Sequence, residues 1–188
     1  MKKNFSGVAL LLMALVACHG SSGSGDAAAE APAKQDSSNI TGPVSASRGD
    51  QDFMSAVAEA GMTEIQASRT AEQMASHPRV KDFATMMVQD HGHWGDELKA
   101  LAQARNVSLP AAISSSHQAA VNALQKLHEG AFDRHYMAMM VHDHEGAVKD
   151  FETAEKTVRD TALLRFLKEK LPMIKMHLDS AMAIGKAL

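Results

Sequence analysis

The stretch Met86-Met87-Val88-Gln89-Asp90-His91 returns almost unchanged as Met139-Met140-Val141-His142-Asp143-His144. Each copy lies in a long segment whose apolar residues recur at three- and four-residue spacing, the period of a helix with one buried stripe. In both copies the histidine falls on that stripe. A buried polar group without a partner costs roughly 1–3 kcal/mol. Two histidines in matching settings therefore predict a polar site shared between helices.

Outward from the first copy, Val80, Ala84, Met87, Trp94, Leu98 and Leu101 mark a second long helix running from Pro78 to about Arg105. Before it, Phe53, Val57, Ala60, Ala67, Ala71 and Met74 mark a first helix from about Asp50 to Ala75. Ser76-His77-Pro78 divides the two, because proline suits a first turn and not a helix interior. The second copy lies in a third long helix from about Phe132 to Thr157. A fourth follows from about Asp160 to Lys186, with Pro172 expected to kink it or open its hydrogen-bond ladder. Between the second and third, a loop over Asn106–Ile113 precedes a short helix over Ser114–His128 that stops near Gly130. No sustained two-residue alternation or hairpin turn signal occurs. The fold class expected is all-α.

Both connections near residues 76 and 158 are short, so each joins antiparallel neighbours. The roughly 26 residues between the second and third long helices can travel the length of the domain, leaving those two helices parallel and side by side. One long crossover, here containing the short extra helix, is the connection of a four-helix ferritin-like bundle.

Each long helix then carries one polar interruption of its stripe: Glu64, His91, His144 and His177. Glu64 and His91 lie about 12 and 15 residues from the first turn, a mismatch of only about 4 Å at 1.5 Å per residue. His144 and His177 lie about 14 and 19 residues from the second, a mismatch of about 7 Å, so the depth of His177 is the least determined. Three imidazoles and a carboxylate can hold a transition-metal ion, zinc or copper in preference to iron. The same four residues can also form a metal-free, hydrogen-bonded polar core. Asp90 and Asp143, about 100° around their helices from the adjoining histidines, read as partners that orient imidazoles or contact neighbouring helices. Met87 and Met140, like Met173, lie one turn before a histidine; they read as core filling, with soft donors for copper(I) as the alternative. His93 and His142 fall off the stripe and read as surface residues. His19, His77, His117, His128 and His135 have no ligand spacing, and Arg165, Lys168, Glu169 and Lys170 read as a solvated face.

The start of the chain bears on location. Lys2 and Lys3 precede the apolar run Val8–Val16, which is too short to span a bilayer and reads as a secretory leader, residues 1–17. Leu15-Val16-Ala17-Cys18 resembles the bacterial lipoprotein signal, in which the cysteine becomes the lipidated first residue. Cys18 is the only cysteine of the 188 residues, so no intramolecular disulfide can form. Residues 18–49, rich in Gly, Ser and Ala, cannot bury enough apolar surface to order themselves and read as a flexible tether. The expectation is a lipid-anchored domain, residues 50–188, on the periplasmic side of a bacterial envelope, attached to the membrane through Cys18. Removing two of the 19 basic residues with the leader leaves 17 against 22 acidic ones, a formal charge of −5. An acidic chain with one Trp and one Tyr lacks the basic patch and stacking aromatics of a nucleic-acid binder. No protein partner is legible.

Residues from about 50 to 188 resemble the bacterial domain-of-unknown-function 4142 family. The resemblance rests on Ala60-Gly61-Met62-Thr63-Glu64, on Val80-Lys81-Asp82-Phe83-Ala84 leading to Met87–His91, and on Phe132-Asp133-Arg134-His135-Tyr136 leading to His144. It closes on Leu171-Pro172 and His177-Leu178. It implies a ferritin-like fold in an exported protein, with Glu64, His91, His144 and His177 as the inward polar positions, and implies no activity. Carboxylate-bridged di-iron sites need Glu-x-x-His pairs, and the chain has none; a ferroxidase is disfavoured. No nucleophile-base set or phosphate loop designates a catalytic residue. The function expected is binding of a single metal ion. Its alternatives are a metal-free structural or stress-related interaction module and a mononuclear metal oxidoreductase, which would need an open coordination position.

Overall fold

Helix boundaries in the computed structural model follow from local capping chemistry. The structure describes residues 46–188; the leader, Cys18 and the tether up to residue 45 lie outside the described residues. Ser47 opens α1 (Arg48–Met74), its hydroxyl accepting from the Asp50 N–H at 3.1 Å. Pro78 occupies the first turn of α2 (Pro78–Gln103), with His77 as its cap. Asn106, at φ 55°, ends α2: its own N–H reaches the Gln103 carbonyl and that of Val107 the Ala102 carbonyl, a Schellman closure with asparagine in the left-handed position. The short helix α3 spans Ser115–Leu124, and α4 spans Glu129–Thr157. Gly130 therefore lies inside the first turn of α4 rather than stopping the short helix; the left-handed residue there is Glu129, at φ 48°. Asp160 caps α5 (Thr161–Gly185) by accepting from the Ala162 and Leu163 N–H groups. α5 continues without a break through Pro172, which faces solvent. No described residue is in a strand, and no described helix is long and apolar enough to cross a membrane.

α1 packs chiefly on α2 and α4 chiefly on α5, and the two pairs meet through α1 with α4 and α2 with α5. Ring and hydrogen-bond pairs set the directions. Phe53 meets Phe151 and Ser68 meets Tyr136, so α1 and α4 are antiparallel. Asp90 meets His177 and Glu97 meets Lys170, so α2 and α5 are antiparallel as well. Phe83 with Tyr136 and His91 with His144 show that α2 and α4 run parallel, as expected. They are not side by side, however. They lie across the core from one another and touch only where long side chains reach the middle. The crossover carries the chain to the diagonal position, leaving every packed pair of long helices antiparallel.

The apolar core has two halves. One gathers Ala67, Ala71, Phe83, Met87, Phe132, Tyr136, Met140 and Ala181 toward the α1–α2 turn. The other gathers Met54, Leu98, Phe151, Leu163, Phe166, Leu167 and Ile174 toward the α4–α5 turn. The buried carboxylate of Asp133 on α4 accepts from the Ser76 hydroxyl and from the Ser76 and His77 N–H groups, fastening α4 to the α1–α2 turn. Hydrogen bonds to a charged group are worth about 1.5–3 kcal/mol each. At the opposite end Arg105 pairs with Asp160, joining the end of α2 to the start of α5.

Candidate metal centre

Between the two apolar halves lies one polar layer, made of Glu64 from α1, His91 from α2, His144 from α4 and His177 from α5. All four are buried. The three imidazole rings form a near-equilateral triangle, with centroids 5.5, 5.5 and 5.8 Å apart. One ring nitrogen from each histidine lies within 4.8 Å of the other two. His177 thus stands at the same depth as the others. Helix boundaries explain it: counted from Thr157 and Thr161, His144 and His177 differ by about three residues, or roughly 4–5 Å, and imidazole reach closes the remainder.

Each histidine engages one nitrogen outward. His91 Nδ1 is 3.0 Å from Glu64 Oε2. His144 Nδ1 is 2.9 Å from the Met140 carbonyl oxygen and 3.5 Å from Glu64 Oε1. His177 Nε2 is 2.9 Å from Asp90 Oδ2. All these partners are acceptors, so each outer nitrogen carries the proton and donates. The inner nitrogens, His91 Nε2, His144 Nε2 and His177 Nδ1, are buried and have no hydrogen-bond partner. Three lone pairs consequently face one another in a buried layer.

Burial favours the neutral state at two of the three, His144 and His177. Burial pushes His177 down to about 4, with the hydrogen bond to Asp90 pulling the other way. Burial also lowers His144, against the opposing charge of Glu64. For Glu64, burial alone would raise the carboxyl, but His91 first, and then His144 and His177, hold it below the usual range. Asp143 is half-buried and forms no hydrogen bond or ion pair with the three imidazoles; burial, reinforced by the charge of Glu64, pushes its carboxyl up to about 6. Met87 and Met140 are fully buried in the apolar half beside the layer, and Met140 contributes its backbone carbonyl. His93 and His142 are exposed, while His117 pairs with Glu59 at 2.7 Å.

A family model described as "Domain of unknown function (DUF4142)" matches residues 33–184. The chain belongs to that family. Among solved structures, a DUF305 fragment from Deinococcus radiodurans is similar at 14% identity and a TM-score of 0.68, covering 77% of this chain and 99% of the fragment. CopM in its Cu(II)-bound form is similar at 19% identity and TM-score 0.64, covering 73% of this chain and 96% of CopM. Its Cu(I)-bound form gives 18%, 0.61, 71% and 93%. At these identities the likeness concerns the fold. No curated protein matches the sequence.

Two residues of this DUF4142 domain have parts that its sequence pattern did not assign. Trp94 stacks on His177, with centroids 5.2 Å apart and planes at 14°, and leans on His91 at 4.6 Å. Lys170, expected on a solvated face, is instead 9% exposed; its Nζ pairs with Glu97 at 2.6 Å and lies over the Trp94 and Phe166 rings. The signal was present: Lys170 precedes His177 by seven residues, two helical turns along the same stripe. Glu97 on the neighbouring helix reaches it from the surface.

Proposed function

We propose that this DUF4142 protein is a lipid-anchored envelope protein whose ferritin-like four-helix domain holds a single transition-metal ion, copper or zinc, on His91 Nε2, His144 Nε2 and His177 Nδ1. The observation that carries the reading is the set of three buried, unpartnered inner nitrogens. An unsatisfied buried acceptor costs roughly 1–3 kcal/mol, and three aimed at one another repel. A cation turns all three into donors at once. Metal–nitrogen bonds of about 2.0–2.1 Å place tetrahedral donors about 3.3 Å apart, so nitrogens within 4.8 Å of one another need to close by at most about 1.5 Å, within side-chain rotation.

The outer contacts fit the same role. A metal-bound histidine donates its other N–H to a carboxylate or carbonyl, which sets its tautomer and ring orientation; Glu64, the Met140 carbonyl and Asp90 each stand in that place. Glu64 thereby positions His91 and offsets metal charge rather than supplying a ligand atom. Bound there, the ion would supply Lewis acidity or, for copper, a redox couple. Copper is placed first because it is the ion in two of the similar CopM structures; imidazole nitrogen suits zinc equally well.

Elemental analysis of protein purified from its native periplasm without a histidine tag should find one equivalent of metal per chain, and His91→Ala should bring this near zero. A tight, metal-free protein that takes up no copper or zinc in vitro would reduce the layer to a polar core. The anchor has its own test. The full-length protein should partition into detergent, and Cys18→Ser should release it or block processing; recovery of the unaltered protein in the soluble fraction removes the lipid anchor without touching the metal site.

A further inference from the structure

The histidine layer carries carboxylate charge that no lysine or arginine answers. Glu64 is 5% exposed, and its two oxygens pair only with the imidazole nitrogens of His91 and His144. It is ionised at neutral pH, its carboxyl being held below the usual range. Asp90, with 27% of its side chain exposed, pairs with His177. Among the described residues no lysine or arginine forms an ion pair with either carboxylate. Lys170, over the Trp94 ring that stacks on His177, is already engaged by Glu97 at 2.6 Å. A buried charge is ordinarily paired or coordinates a metal, because it has lost its hydration.

Charge balance then separates the ions that three nitrogens could take. Three neutral imidazoles with the carboxylates of Glu64 and Asp90 carry two negative charges. A divalent cation brings that layer to neutrality. A monovalent one leaves a net negative charge where uncompensated charge is costly. Asp143, whose carboxyl feels the charge of Glu64, adds to the same side as it ionises.

The donor atoms agree with the charges. Imidazole nitrogen suits divalent zinc and copper, whereas thiolate and thioether sulfur select copper(I). The three unpartnered inward atoms are nitrogens, while Met87 and Met140 pack into the apolar half.

Resting on the metal reading above, we infer that Glu64 and Asp90 select the charge of the ion, so that the tri-histidine centre takes a divalent cation and discriminates against copper(I). Each carboxylate then has two parts: it orients an imidazole, and it balances one positive charge of the ion.

The test measures Zn(II) and Cu(I) affinities of the protein by competition with chromophoric chelators, copper(I) being kept under anaerobic reductant. Asp90→Asn and Glu64→Gln each keep an oxygen that can accept from the imidazole and remove one charge. A carboxylate attracts a divalent ion roughly twice as strongly as a monovalent one. Each substitution should therefore weaken Zn(II) by about tenfold or more beyond any loss for Cu(I). Asp90 reaches solvent, so Asp90→Asn carries the comparison if Glu64→Gln does not fold. In the unaltered protein copper should bind more tightly as Cu(II) than as Cu(I), making the bound ion harder to reduce than the aqueous one. Equal losses for Zn(II) and Cu(I) would show that the carboxylates only orient rings, overturning the charge selection and leaving the metal reading intact. Tighter binding of Cu(I) than of Cu(II) overturns it as well. Failure of the unaltered protein to bind any of these ions overturns both readings.

Discussion

Loading the protein with metal should raise its melting midpoint by on the order of 10 °C, and a chelator should reverse the shift completely. The histidine triangle exists only when α2, α4 and α5 are packed, so the ion binds the native state and not the unfolded chain. At free metal a thousandfold above Kd, that preference stabilises the fold by about 4 kcal/mol. In a domain of this size each kcal/mol moves the midpoint by roughly 3–4 °C. His144→Ala should make the midpoint indifferent to metal and chelator alike, because it removes one of three donors and opens the layer. Replacing Glu64 and all three histidines together with leucine tests the other half of the argument. With the facing lone pairs gone, the metal-free protein should be no less stable than the unaltered one, since removing mutually unsatisfied partners together can be neutral or favourable. A midpoint that neither zinc, copper nor chelator moves would defeat the metal reading.

Acid should destabilise the metal-free protein well above the carboxylate range. His177 is held down to about 4 by burial, against about 6.5 in an unfolded chain. The folded pKa lies below the unfolded one, so as pH falls through 6.5 the unfolded chain takes up the proton first. Stability is fully present above about pH 6.5, is lost between 6.5 and 4, and levels off below. The loss from His177 is roughly 3 kcal/mol. His144, lowered by the same burial, acts in the same direction. Glu64 adds a further loss below the carboxylate range, because its folded pKa is depressed and acid removes the charge that its histidines favour. Denaturant midpoints at pH 7, 5.5 and 4 measure the slope. His177→Leu should flatten it, and Asp90, which retains 27% side-chain exposure, can turn to water at little cost. A flat profile from pH 7 to 4.5 in the unaltered protein would show that His144 and His177 are not held neutral by burial.

Much of the fold is written in local signals. Pro78 after Ser76-His77, the Asp160 cap and the three-four spacing of apolar residues each act within a few residues of chain, and each is found where its chemistry predicts. The interruptions of the stripe, Glu64, His91, His144 and His177, were legible for the same reason: a polar residue on a buried face is visible without knowing what it faces. The end of the short helix was not, because Gly130 entered the first turn of α4 and the left-handed residue proved to be Glu129. Lys170 was misassigned because a charged residue beside other charges reads as surface unless its register with His177 is counted.

By itself, then, the sequence determined that the described chain is helical, where its long helices lie to within a few residues, and which four polar side chains point inward. Periodicity settles those points because it reports which face of a helix is buried. It does not report which helix lies opposite. The tertiary structure decided that α2 and α4 are diagonal, that Asp90 serves His177 on α5, that Glu64 holds outer nitrogens, and that the three inner nitrogens converge. Those relations depend on how antiparallel pairs meet and how far side chains reach across the core, distances that exist only once the helices are packed.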